Sequence, residues 1–186
     1  MALLSMPEMN PTLTLILLAA CALQIRAQAL AFDEYQVKAA FLYNFAKFVE
    51  WPLGTFGKSS DPIGICIAGQ NPFGSTLEDM VQGKKVGGRT FVVRQLPNAP
   101  QAGGCQILFI GTADGKRTHA WIEASKGFGV LTVGETSDFT DQGGIIAFRL
   151  EGERVRIQVA LEAADHARLR ISSKLLSLAQ IVRMQR

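Results

Sequence analysis

Residues 35–52, YQVKAAFLYNFAKFVEWP, carry the sharpest hydrophobic pattern in the chain. Wound as a helix at about 100° per residue, Asp33, Gln36, Asn44, Lys47 and Glu50 share one arc. Val37, Phe41, Leu42, Phe45, Phe48 and Val49 spread over the rest, an apolar arc roughly 200° wide. Covering one side of a sheet takes about half that width. The surplus predicts two contacts, one with the helix's own domain and one with a second surface such as a protomer or partner. The plainer alternative is a helix buried between a sheet and the C-terminal helix. Lys38 lies at the centre of the apolar arc. In a core it is costly without a partner; otherwise it snorkels outward or marks where the arc meets another protein. Pro52 ends the helix, because proline lacks the donor and disfavours helical geometry before it.

After a linker over Leu53–Pro62, short apolar runs alternate with helical stretches. Ile63–Ala68 (IGICIA), Gln106–Ile110 and Val130–Val133 read as strands covered on both faces, as in parallel sheets. Thr90–Leu96 is a further strand. Ser75-Thr76-Leu77-Glu78 has the form of a capping box for a helix over Thr76–Gln82 that stops at Gly83. Asp114–Lys126 reads as a helix stopped by Gly127. Ile146, Phe148 and Leu150, then Val155, Ile157 and Val159, alternate with polar residues around Gly152, which predicts an antiparallel hairpin with one wet face. A short helix near Leu161–Arg168 and a longer one over Ser173–Arg183 close the chain. The sum is an α/β layered single domain: a mixed sheet with parallel strand–helix units, a C-terminal antiparallel hairpin, and N- and C-terminal helices packed on it.

The first 31 residues read as an export signal, and 32–186 as the domain. Leu13–Leu23 is apolar but short for a membrane span, and Ala29-Leu30-Ala31 offers the small-x-small pattern of a cleavage site. No Lys or Arg precedes Arg26, so a start at Met6 or Met9 is an alternative. Leu18-Ala19-Ala20-Cys21 fits a lipoprotein box, which would keep Cys21 acylated. Beyond the leader, Cys66 and Cys105 are an even pair in an exported chain. They predict a disulfide, stabilising by roughly 4 kcal/mol in the chain-entropy model; two buried free thiols on adjacent strands are the alternative. The formal charge of +3 is too mild and scattered to indicate nucleic acid.

Candidate chemistry is sparse. Gly69–Gly74 has phosphate-loop spacing, but Ser75 stands where the lysine is needed. The loop still lies between a strand and a helix N-terminus, where α/β sheets bind anions; a plain connection is the simpler account. Asp138 and Asp141, in SDFTDQGG, have too few oxygen neighbours for calcium and read as turn residues. There is no GxSxG or SxxK, and Ser172 and Ser173 suit helix capping. His119 and His166 are far apart in sequence, so no zinc site and no nucleophile–His pair is expected. Neither catalytic residues, a metal nor a cofactor is predicted, and a hydrolase is the weakest option. Arg149, Arg154 and Arg156 line the hairpin's wet face, either solvated or docking an acidic partner.

Laid out in this order, the chain resembles the YfiR family of exported bacterial proteins. The runs that carry the resemblance are YQVKAAFLYNFAKFVEWP, GICIAGQNPFG (64–74), GKKVGGRTFVVRQL (83–96), CQILFIG (105–111) and the stretch 129–179. The resemblance implies a periplasmic regulator rather than an enzyme. It implies binding to the periplasmic domain of an inner-membrane diguanylate cyclase, which is held inactive so that cyclic di-GMP and biofilm formation fall. It further implies release by an outer-membrane lipoprotein of the OmpA type, and a homodimer. Cys66 and Cys105 match the family's cysteine pair. A second pair found in some relatives is absent, which places in doubt redox control that depends on it. A small-ligand sensing module for another membrane receptor or kinase is the alternative, with Gly69–Gly74 in its pocket. Lys38, Phe41, Phe45, Phe48 and Trp51 are the candidates for partner contacts.

Overall fold

The computed structural model describes residues 34–97 and 103–183. The expected leader and Cys21 lie outside them. The chain divides after Glu34 into two units, and the second, Tyr35–Arg186, carries the fold. Residues 34–48 are helical (α1). They are followed by β1 (Val49–Glu50), β2 (Ile63–Gly69), α2 (Thr76–Val81), β3 (Phe91–Leu96), β4 (Ile107–Gly111), α3 (Gly115–Ser125) and β5 (Leu131–Gly134). The hairpin β6 (Ile146–Glu151) and β7 (Arg154–Ala160) comes next. Then follow α4 (Leu161–His166), β8 (Arg170–Ile171), α5 (Ser173–Leu176) and β9 (Ala179–Val182).

The main sheet has seven strands in the order β3-β2-β4-β5-β6-β7-β9. Strands β3 through β6 are mutually parallel. β7 pairs antiparallel with β6, and β9 lies parallel to β7. The apolar runs behave as their continuity predicts. In β2, Ile63, Ile65 and Ile67 face one layer, while Cys66 and Ala68 face the other. In β4, Ile107 and Phe109 alternate in the same way with Leu108 and Ile110. A strand with helices on both sides has no wet face on which to place polar residues.

The first layer is the larger. It takes the buried residues of α1, Leu77 and Val81 from α2, Ala163 and Ala164 from α4, and Leu175 from α5. The second layer holds Trp121 and Ile122 of α3. The connection from β2 to β3 therefore passes over one face and that from β4 to β5 over the other. The topological switch falls between β2 and β4. Cys66 and Cys105 are joined across this centre, with Cα atoms 5.8 Å apart, and both are buried in the second layer. Phe139 is fully buried between Gly134 and Gly144, where a Cβ at either glycine would run into its ring.

Two local expectations change. The segment expected as a helix over Ser173–Arg183 is helical only for Ser173–Leu176, and then becomes β9 at the sheet edge. Leu178, one of the apolar residues of the expected helix, is 67% exposed. Backbone pairing with β7 outweighs the weak helical pattern there. Ser75 does not cap α2 with its side chain; its hydroxyl donates to the Asp79 carboxylate instead (3.0 Å). Asp114, by contrast, caps α3, its carboxylate accepting from the Lys116 and Arg117 N–H groups.

Replacing both Cys66 and Cys105 by alanine opens a 39-position loop. Urea denaturation of the oxidised protein and the double variant should differ by about 4 kcal/mol. Equal midpoints would show that the crosslink contributes nothing.

Candidate functional site

The first helix is the obvious place for a partner, so its side chains decide the matter. Lys38, Leu42 and Phe45 fall on one helical face at i, i+4 and i+7, and that face points into the larger layer. Lys38 is only 4% exposed. Its ammonium lies 2.6 Å from the Glu135 carboxylate, just beyond the end of β5. The Tyr35 hydroxyl donates to the same carboxylate (3.2 Å). The ammonium also sits 4.5 Å from the centre of the Tyr35 ring and 5.9 Å from that of Phe148. A buried cation paired with a carboxylate and set over two aromatic faces meets the cost of its burial locally. Lys38 thus neither snorkels nor faces a partner; it ties α1 to the sheet. Glu135 was not legible as its partner, since the two are far apart in sequence and no motif connects them.

The aromatic surplus is absorbed in the same way. Phe45 is fully buried and stacks on Phe148 with ring centres 6.1 Å apart. Phe41 lies 5.9 Å from Phe148, Tyr43 5.5 Å from Phe91 and Tyr35 5.6 Å from Phe73. The helix crosses the middle of a wide sheet, so rings on both its flanks find neighbours in the same domain. Lys38 and Phe45 are core residues, so most of the wide apolar arc serves the helix's own domain. Phe41, Phe48 and Trp51 remain partly exposed while packing against that core.

The two ends of α1 are fixed differently. Near its start, the ion pair reaches the C-terminal end of β5. Past its end, β1 pairs antiparallel with β8, and the Ser172 N–H donates to the Phe48 carbonyl (2.8 Å). The Trp51 indole N–H donates to the Gln106 carbonyl (3.2 Å), beside the start of β4. Its ring meets Phe56 edge-on at 6.3 Å. Among the expected partner residues, Trp51 is the one set in a surface loop rather than on the helix.

The remaining candidates separate by geometry. A cavity of about 620 Å³ opens at the switch point, lined by Gly69, Gln70, Gln95, Gly111, Thr112 and Arg117 among others. Anion binding gains little here. The Asp114 carboxylate already occupies the N-terminus of α3, and Glu78 and Asp79 sit in the first turn of α2. The segment containing Asp138 and Asp141 is a turn, as expected. Gln142 donates to the Asp138 carboxylate (2.5 Å), which holds that carboxyl below its ordinary range. Arg149 is a structural brace: it donates to the carbonyls of Thr136 (2.7 Å) and Ser137 (2.8 Å) and to the Gln158 side chain (2.8 Å). Arg156 lies near Glu151 (3.6 Å), and both are exposed. His119 pairs with Glu123 on the surface of α3. Among the described residues no cluster of three or more His, Cys, Asp or Glu could hold a metal. No helix among them is long and apolar enough to cross a membrane.

A parallel α/β core stapled by one disulfide, with an aromatic first helix laid over it, defines the class of molecule. A family profile described as YfiR/HmsC-like matches residues 35–180, and the chain belongs to that family. Membership points to regulation of diguanylate cyclase signalling from the periplasm. No curated protein matches the chain. Among solved structures, an ABC domain from Streptococcus pneumonia in complex with L-Trp is similar at 9% identity and a TM-score of 0.45. That match covers 64% of this chain and 55% of the other. A conserved domain protein from Vibrio cholerae o1 biovar eltor is similar at 11% identity and a TM-score of 0.45, covering 65% and 54%. The chain thus spans just over half the length of each, a likeness too slight to inform function.

Two measurements check the site. Lys38→Met alone removes the cation from a carboxylate that water still partly reaches and should cost about 1–3 kcal/mol. Lys38→Met with Glu135→Leu should recover most of that loss, as read from urea denaturation; strictly additive losses would mean the pair is not coupled. Gln142→Ala should raise the Asp138 pKa in a carboxyl NMR titration. Asp138 favours the fold in its charged form, so its contribution is present above its unfolded pKa and fades as pH falls through the folded one. An unmoved titration would remove Gln142 as the cause.

Proposed function

We propose that this chain is an exported regulator that binds the periplasmic domain of an inner-membrane diguanylate cyclase and holds it inactive. The observation that supports this reading is the family match over 35–180, which spans nearly the whole domain from α1 to β9. In this account residues 1–31 direct export and are removed, or Cys21 is retained as a lipid anchor. The domain then works by population shift: it binds the inactive arrangement of the cyclase more tightly than the active one, and the difference in affinity sets the degree of inhibition. An outer-membrane lipoprotein of the OmpA type competes for the regulator and releases the enzyme. The regulator acts as a homodimer. The loop that leaves α1 at Trp51 contributes to the contact, while Phe41 and Phe48 stay packed on the core.

A second reading is favoured by the cavity at the switch point. Open α/β sheets bind ligands outside the carboxyl ends of their strands where the topology reverses, and Gly69 lines that place here. In this reading the domain senses a small ligand on behalf of another membrane receptor or kinase.

Deleting the gene should raise cellular cyclic di-GMP several-fold, and restoring the intact chain should lower it again. Unchanged levels, with no cyclase recovered on the tagged protein from periplasm and membranes, would overturn the first reading. A thermal-shift screen with amino acids, nucleotides and sugars addresses the second, which falls if no compound stabilises the protein.

A further inference from the structure

At the opposite end of the sheet from the switch point, two large apolar side chains stand out in solvent. Leu53 is fully exposed, and Phe128 is 59% exposed. Glycines in left-handed geometry shape both tips: Gly54 has φ 88° beside Leu53, and Gly127 and Gly129 have φ 81° and 63° around Phe128. Neither side chain serves the interior. Apolar groups displayed together on a surface mark interaction sites.

Between the two tips lies a groove of about 320 Å³, floored by Cys105 and Gln106 and rimmed by His166 and Arg168. Among the described residues no carboxylate lines it, so its charge is positive. Arg168 is exposed, and no ion pair engages it among the described residues. It also has φ 58°, making it the one non-glycine residue in the left-handed region among the described residues. It stands where α4 closes, with the Leu169 N–H donating to the Ala164 carbonyl (2.9 Å). Glycine is the residue that such a helix ending favours. An arginine there gives up stability to place a guanidinium at the groove, and strain of this kind points to function. Pro52 lines one wall, and the neighbouring Trp51 indole is anchored on the carbonyl of Gln106 in the floor.

We propose that this groove docks an acidic peptide segment of a partner protein. An apolar side chain of that segment inserts between Leu53 and Phe128, and a neighbouring carboxylate pairs with Arg168. The groove is a concave hollow of limited volume, which fits a short peptide segment better than a lipid surface. The inference rests on the reading of the chain as a protein-binding regulator and names the surface that does the binding.

The probe is the peptide acetyl-Glu-Asp-Phe-Asp-Glu-amide, added to the isotopically labelled protein and followed by NMR. Shift changes should be confined to residues 52–55, 127–129 and 166–168. The matching peptide with lysine in place of every acid should bind at least tenfold more weakly. Arg168→Gly should weaken binding at least tenfold while raising Tm, a pairing that a purely structural role would not give. Leu53→Ser and Phe128→Ser should weaken binding with Tm unchanged. Shift changes elsewhere, equal affinity for the lysine peptide, unaltered binding by Arg168→Gly, or binding only to phosphatidylglycerol vesicles would each overturn the proposal. The same variants, returned to the deletion strain, separate the two levels. If the intact chain lowers cyclic di-GMP and the variants lower it equally, the groove is wrong. If the intact chain has no effect, the cyclase reading is wrong and the peptide titration alone decides the groove.

Discussion

A sheet built from parallel strands must be covered on both faces, and in this chain α1 is what covers the broader one. The strands leave no alternative: Ile65, Ile107, Leu131 and Ile146 all present apolar side chains to the layer that receives Leu42 and Phe45. Fully burying one such side chain is worth about 1.5–3 kcal/mol. Detaching α1 would therefore expose more apolar surface than a domain of this size can tolerate, given typical net stabilities of about 5–15 kcal/mol. The Lys38–Glu135 pair sets where along the sheet the helix lies, and the β1–β8 pairing closes its other end. A helix held at both ends and buried in the middle is scaffold.

On this account the partner contact lies off the buried face of α1. The sequence of α1 suggests an interface because its apolar arc is wide. The width has another cause: the helix lies over the centre of a seven-stranded sheet, and rings on its flanks reach Phe91 and Phe73 to one side and Phe148 to the other. Val37 stays exposed on the helix, and beyond it the loop that leaves the helix at Trp51 carries the fully exposed Leu53. This loop joins the Phe128 turn and the end of α4 at the N-terminal edge of β4. Regulation, if it passes through this edge, needs no rearrangement of the core. The disulfide fastens the floor of the same edge through Cys105, which keeps the groove in one shape.

Much of the architecture could be read in advance, for physical reasons. Continuous apolar runs at Ile63–Ala68 and Gln106–Ile110 have one satisfactory environment, a strand covered on both faces. The alternation around Gly152 likewise has one, a hairpin with a wet side. The cysteine pair is legible from its parity and from the reading of residues 1–31 as an export signal. The C-terminal end was not: Leu175 to Val182 satisfies a loose helical pattern, and only the free edge of β7 decides that part of it becomes β9. The Lys38–Glu135 contact was invisible because it depends on how the folded chain brings distant segments together. Leu53 and Phe128 give no signal of their own in the sequence, because an apolar residue in a linker or a turn carries no period. The glycines on either side of Phe128 were the available sign that its tip is deliberately displayed.

Hydrogen–deuterium exchange on the intact protein, with and without the periplasmic domain of the cyclase, tests the central claim most directly. The account predicts that α1 is already protected in the free protein and unchanged on binding, while residues 51–55, 127–129 and 166–168 gain protection. New protection spread along the outer face of α1, with those three segments unaltered, would contradict it and restore the helix as the docking surface.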